Sequence, residues 1–219
     1  MRHPSARAVL AAFTLAGGMF AAPAVDSDIL PPGGLAIPVH RLEAIPPYRA
    51  ELGRDGQPVR LTRAQILAEL RALSGVALND QGDALVPPPF PRVTCRFETY
   101  SVVNHRWFGN LIFWCRGELR FEGLSYRTEN WDCDDFSTAY NAIADIAQLR
   151  ARQPAPPRLV GRLIVRQAHA WAGTPAVGLH EVVIFRSGKS WWVCEPQNGV
   201  KVRLEKYPNR GSIREIMFN

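Results

Sequence analysis

Cys133, His180 and Glu195 are the residues of this chain whose types and spacing could carry nucleophilic chemistry. Cys133 lies in Asn130-Trp131-Asp132-Cys133-Asp134-Asp135-Phe136-Ser137, where Phe136, Tyr140, Ile143, Ala144 and Ala147 begin to trace one apolar stripe. That spacing predicts a helix over 133–149, ending before Pro154 and Pro156-Pro157. A thiol in the first turn of a helix meets the positive end of the dipole and unpaired N–H groups. Both favour the thiolate, which is the form that attacks. Taken alone, such a cysteine is more often buried filler.

The downstream residues give it weight. Segment 178–185 (Gly178-Leu179-His180-Glu181-Val182-Val183-Ile184-Phe185) alternates as a strand. With Ser187-Gly188 as a two-residue turn, Trp191-Trp192-Val193-Cys194-Glu195 returns and sets Glu195 opposite His180. There the carboxylate would hold the ring's tautomer and stabilise its imidazolium. Moving the turn to Gly188-Lys189 puts Gln197 opposite instead, and a slip of one residue separates the side chains.

The positioning elements follow from pattern. Thr62 with Gln65 forms a capping box, and Ile66, Leu67, Leu70 and Leu73 extend it to a helix over 63–73. Residues 25–60 are rich in proline and glycine without a sustained period, as in an extended arm. Residues 93–103 and 107–115 alternate about Asn104-His105-Arg106, which predicts a hairpin with Cys95 opposite Cys115. A Cys95–Cys115 disulfide and a pair of buried free thiols are the two readings of that register. Strands are predicted over 159–167, 179–186, 191–195 and 200–204. Helices first and antiparallel strands last indicate an α+β fold class.

Arg2, His3 and Arg7 precede an apolar run over 8–21 and then Ala22-Pro23-Ala24, the pattern of a signal peptide cut after Ala24. The run is short of the ~20 residues that span a bilayer. An exported protein, periplasmic or secreted, with no integral membrane domain is expected, in a compartment that permits disulfides. Beyond the leader, 195 of the 219 residues remain, enough for one domain over 61–219. With 47% hydrophobic and 21% charged residues, collagen-like, coiled-coil and wholly disordered chains are excluded. The net charge of +6, two units of it from Arg2 and Arg7, is too small to argue for nucleic acid.

The run 131–137, His180 in a Gly-led strand entry, and Glu195-Pro196-Gln197-Asn198 together resemble the papain-like/transglutaminase-like superfamily of cysteine enzymes. They are most similar to the calcium-dependent cysteine protease domain at the C-terminus of fungal chimeric lectins. The likeness covers roughly residues 90–205, without any β-trefoil sugar-binding domain. It implies a papain-like fold, with the nucleophile-bearing helix packed on an antiparallel β-sheet. It also implies a Cys-His-Glu triad with Cys133 as nucleophile, His180 as base and acid, and Glu195 as orienting residue.

The expected activity is that of a cysteine peptidase/amidase-like hydrolase, cleaving a peptide or protein substrate, cell-wall peptides included, through an acyl-enzyme. A transglutaminase-type transferase and an inactive binding module are the alternatives. Asp134 and Asp135 disfavour a neighbouring thiolate by like charge. The imidazolium of His180, Arg127 or a bound Ca²⁺ would relieve this. The resemblance implies calcium held by Asp134, Asp135 and Gln197, oxygen ligands of the kind calcium takes. Capping of the helix by the two aspartates is the plainer reading. His169 is a rival base, Trp131 a candidate pocket floor, and the Cys133 backbone N–H a candidate oxyanion donor.

Overall fold

The computed structural model describes residues 39–81, 89–121, 133–151, 156–176 and 178–218. The leader, Arg127, Asn130, Trp131 and Asp132 lie outside them. The chain divides into two units, Met1–Ala44 and Ile45–Asn219. In the first, the one-turn helix α1 (Val39–Leu42) is closed by the Ala44 N–H, which donates to the Arg41 carbonyl. Of the expected arm over 25–60, the part from Ile45 onward belongs to the second unit, with Ile45 and Tyr48 buried and Tyr48 edge-on to Trp107.

In the second unit a short ribbon pairs β1 (Arg60–Thr62) with β4 (Thr99–Ser101). Helix α2 (Arg63–Ser74) starts on the expected capping box: Thr62 Oγ1 accepts from the Gln65 N–H at 3.3 Å, and Gln65 Oε1 accepts from the Thr62 N–H at 2.8 Å. Gly75, at φ 70°, ends the helix in the left-handed conformation that costs glycine least. Ile66, Leu67 and Leu70 face one side of the main sheet and are buried there with Leu163, Val182, Ile184, Trp191 and Phe218.

That sheet has seven strands in the order β2 (Asn79–Asp80), β3 (Arg92–Cys95), β9 (Ile213–Phe218), β5 (Val160–Arg166), β6 (Leu179–Ser187), β7 (Ser190–Cys194) and β8 (Lys201–Arg203). β2, β3 and β9 run parallel, and the pairs from β9 to β8 are antiparallel. The expected fold class, an α+β papain-like domain on an antiparallel sheet, is therefore corrected: a seven-stranded mixed sheet dominates the chain. The local patterns could not show this, because the parallel half is built from short strands far apart in sequence. Gly161 is needed where β5 crosses β9, since a Cβ there would run into the Met217 carbonyl and the Phe218 ring.

The expected hairpin over 93–115 does not form. Residues His105–Phe121 are helix α3, and Cys95 and Cys115 are unpaired and buried on different elements, so no disulfide joins them. Trp107, Phe108, Leu111, Ile112 and Cys115 are the buried positions, spaced for a helix. The Asn104 side chain caps the first turn by accepting from the Trp107 N–H at 3.1 Å. Phe108 then stacks on Phe185 of β6, with ring centroids 3.8 Å apart.

Helix α4 (Cys133–Arg150) buries Phe136, Tyr140, Ile143, Ala144 and Ala147, the stripe read from the sequence. A second, polar row on the same helix, Ser137, Asn141, Asp145 and Gln148, turns toward β5, β6 and the Pro156–Arg158 stretch. It meets Glu181, Arg158 and the Pro156 carbonyl.

Candidate functional site

The turn between β6 and β7 is Gly188-Lys189, since Ser187 pairs with Ser190 and Arg186 with Trp191. The turn expected at Ser187-Gly188 is thus corrected to the Gly188-Lys189 alternative, and Glu195 is not the ladder partner of His180. In the ladder His180 faces Val165 of β5. Yet the two side chains meet, His180 Nε2 lying 2.8 Å from Glu195 Oε2. The reason is that the β6–β7 ladder stops at Val183 and Cys194. Glu195 leaves the strand in a turn closed by its N–H on the Val200 carbonyl, 2.9 Å, and by the Gly199 N–H on its own carbonyl, 2.8 Å.

That turn swings the carboxylate under the ring. The pair is buried, His180 at 3% exposure and Glu195 at 0%. Thr174 Oγ1 donates to the same Oε2 at 3.5 Å, and the Gln197 N–H to Oε1 at 3.4 Å. Thr174 is delivered by a tight turn through Ala172 and Gly173 (φ 52° and 85°), pinned by Asn198 Nδ2 on the Ala172 carbonyl. Trp171, at the base of that turn, stands edge-on to Tyr207, centroids 4.9 Å apart.

Cys133, in the first turn of α4, is half-buried, whereas Cys95, Cys115 and Cys194 are sealed. Burial pushes the Cys95 thiol up to about 12 and raises the Cys115 and Cys194 thiols as well, leaving them unreactive. Cys133 instead hydrogen-bonds the His180 ring. Burial alone would lower the pKa of that ring. The hydrogen bonds to Cys133 and Glu195, and the negative charge those two groups carry when ionised, outweigh it and raise the ring to about 9. The direction of the shift favours the imidazolium form, in which Nε2 donates to Glu195. A half-buried sulfur, a proton-holding ring beside it and a buried carboxylate bracing the ring form an arrangement that can attack an electrophilic carbon and then hand over a proton.

His169 is exposed and serves through its backbone, its N–H donating to Asn209 Oδ1 at 2.8 Å. Asp134 and Asp135 follow Cys133 in the first turn, and Gln197 lies in the turn after β7. Consecutive helix residues do not face one another, and among the described residues no group of three or more His, Cys, Asp or Glu side chains comes together. No step is routed through a metal. Sequence reading missed Thr174, Ser137 and Glu181 as neighbours of the site. The glycine and proline flanking Thr174 were the one available signal of a turn there.

No family model matches the chain, and no curated protein does. Among solved structures, it is similar to a PSL1a–E64 complex (17% identity, TM-score 0.49, covering 73% of this chain and 50% of that one). A second is the Polyporus squamosus lectin bound to the human-type influenza-binding epitope Neu5Aca2-6Galb1-4GlcNAc (18% identity, TM-score 0.47, 73% and 49%). The chain thus spans about half the length of each. The second is named a lectin. The expected activity, hydrolysis of peptide bonds, is corrected against these neighbours and is not assigned to the chain. No helix among the described residues is long and apolar enough to cross a membrane.

Proposed function

We propose that the chain is a thiol-dependent enzyme in which Cys133 is the covalent nucleophile, His180 carries the proton and Glu195 aims the ring. The observation that supports this reading is the buried His180–Glu195 contact at 2.8 Å beside a half-buried thiol bonded to the same ring. In the reaction, the sulfur lone pair forms an S–C bond to an electrophilic carbon. The electron pair displaced from that carbon moves onto its substituent, which takes its proton from His180. We also propose that residues 1–24 direct export, on the basic, apolar and small-residue order of that segment. N-terminal sequencing of protein recovered from the exporting cell would show a first residue of Val25.

The deciding measurement is the rate at which iodoacetamide alkylates each cysteine, read by peptide mass spectrometry at neutral pH. Cys133 reacts at least tenfold faster than Cys194 and faster than a simple free thiol, and His180→Ala removes the difference. Equal, slow labelling of all four cysteines would overturn the reading. The competing reading is sugar binding without use of the thiol, the property in the neighbouring lectin's name. Glycan binding that is unchanged in Cys133→Ala, with no fast thiol in the wild type, would put it in place of ours.

A further inference from the structure

The residue after His180 is joined to the residue four after Cys133. Ser137 Oγ donates to Glu181 Oε1, and the same oxygen lies 2.9 Å from the Cys133 carbonyl. Both side chains are sealed, Ser137 at 0% exposure and Glu181 at 5%. Arg162 of β5 reaches over with Nη1 3.4 Å from Glu181 Oε1 and 3.0 Å from Thr138 Oγ1. One hydroxyl proton thus has three acceptors in reach, Glu181 on the strand that bears the ring and the carbonyls of Cys133 and Asp134, the latter at 3.2 Å, on the turn that bears the sulfur.

This matters because the first turn of a helix lacks a full set of intrahelical bonds and is the part that frays. A sulfur carried there would wander relative to a ring fixed in a sheet, and a misplacement of about 1 Å can cost about a hundredfold in rate. A buried, charge-assisted hydrogen bond between the two elements removes that freedom. The charge balance is also suited to the site. Arg162 offsets Glu181, so the tether does not add an uncompensated negative charge beside a sulfur that must become anionic.

We propose that Ser137 and Glu181 are positioning residues, a tether between α4 and β6 that holds the Cys133 sulfur on the His180 ring. The proposal rests on the reading of Cys133 as the nucleophile. Its test is the pH profile of Cys133 alkylation in the full-length chain, from pH 5 to pH 10, for wild type, Ser137→Ala, Glu181→Ala, the double variant and Ser137→Thr. The comparison is made where circular dichroism shows each variant folded.

The single alanine variants lose roughly tenfold to a hundredfold in rate at pH 7. Their pH profiles depart from that of the wild type. The double variant is no slower than either single one, because both remove one tether, and Ser137→Thr, which keeps the hydroxyl, restores rate and profile. A folded Ser137→Ala or Glu181→Ala with wild-type rate and profile overturns the tether, as do strictly additive losses in the double variant. If one alanine variant does not fold, the other and the threonine rescue decide. A slow Cys133 in the wild type would instead sink the enzyme reading, an outcome separate from a fast wild type with equally fast variants.

Discussion

Two charge pairs lean on α4, one buried on both sides and one with its carboxylate 40% exposed, and they differ in what their charges can do. At its first turn stands His180 with Glu195, whose charge is titratable and whose ring also bonds a thiol. Further along, Arg158, 1% exposed, pairs through Nη1 with Asp145 Oδ1 and donates from Nη2 to the Asn141 carbonyl at 2.7 Å. Burial pulls Arg158 down and pushes Asp145 up, but a guanidinium does not lose its proton at any working pH. The arginine pair therefore seals a helix against a loop and has one state. The histidine pair can change its proton, and in our reading the group beside it is the nucleophile. The contrast separates an ion pair that holds the fold from one proposed to do chemistry.

The largest effect that could break this contrast is on reactivity. His180→Ala lowers the Cys133 alkylation rate at pH 7 by about a hundredfold or more, while Arg158→Met leaves the rate of the folded fraction within about threefold. Equal losses in both, read by peptide mass spectrometry, would erase the distinction. Next comes stability. Arg158→Met removes a buried guanidinium and its hydrogen bonds but leaves Asp145 reachable by water, and should cost about 1–3 kcal/mol in urea denaturation.

The pH dependence sharpens the comparison further. The folded pKa of His180, about 9, lies above its ordinary value near ~6.5. Its stabilising contribution is thus complete below pH ~6.5 and is lost as pH rises toward 9, on the order of 2–3 kcal/mol. Arg158 adds no slope in that window. Urea midpoints between pH 6 and pH 9.5 should fall in the wild type and stay flatter in His180→Gln; parallel curves would count against the raised ring. The smallest effect is a control remote from both pairs. Thr62→Ala removes the α2 cap and costs about 1 kcal/mol with no change at Cys133.

Helix α4 with Cys133 in its first turn, and the strand that bears His180, were legible because they depend on short-range signals: a stripe at helical spacing and an alternating run. The geometry that joins His180 to Glu195 was not legible. The ladder register differs from the expected one by two residues, and contact is recovered only because the strand ends at Cys194 and the next residue turns inward. α3 was misread because Trp107, Leu111 and Cys115 fit an alternating pattern as well as a helical one. Asn104, three residues before Trp107, was the cap that would have decided it. β9 pairs in parallel with β3 and antiparallel with β5, partners remote in sequence that no local pattern reveals. Glu181 was visible only as an alternating strand residue, since its partner Ser137 lies on another element.

Gly199, at φ 73°, closes the turn that Glu195 opens, and a Cβ there would stand 2.7 Å from Ile112 Cγ2 and 3.1 Å from Arg116 Cδ. The space for the brace is therefore set by α3, a helix that supplies no reacting atom. A bulkier residue at either wall must lift that helix or rotate the turn, and rotation re-aims the carboxylate. Substitutions on the outer scaffold can in this way retune the imidazole without touching it, and the two walls must change together if the aim is to be kept.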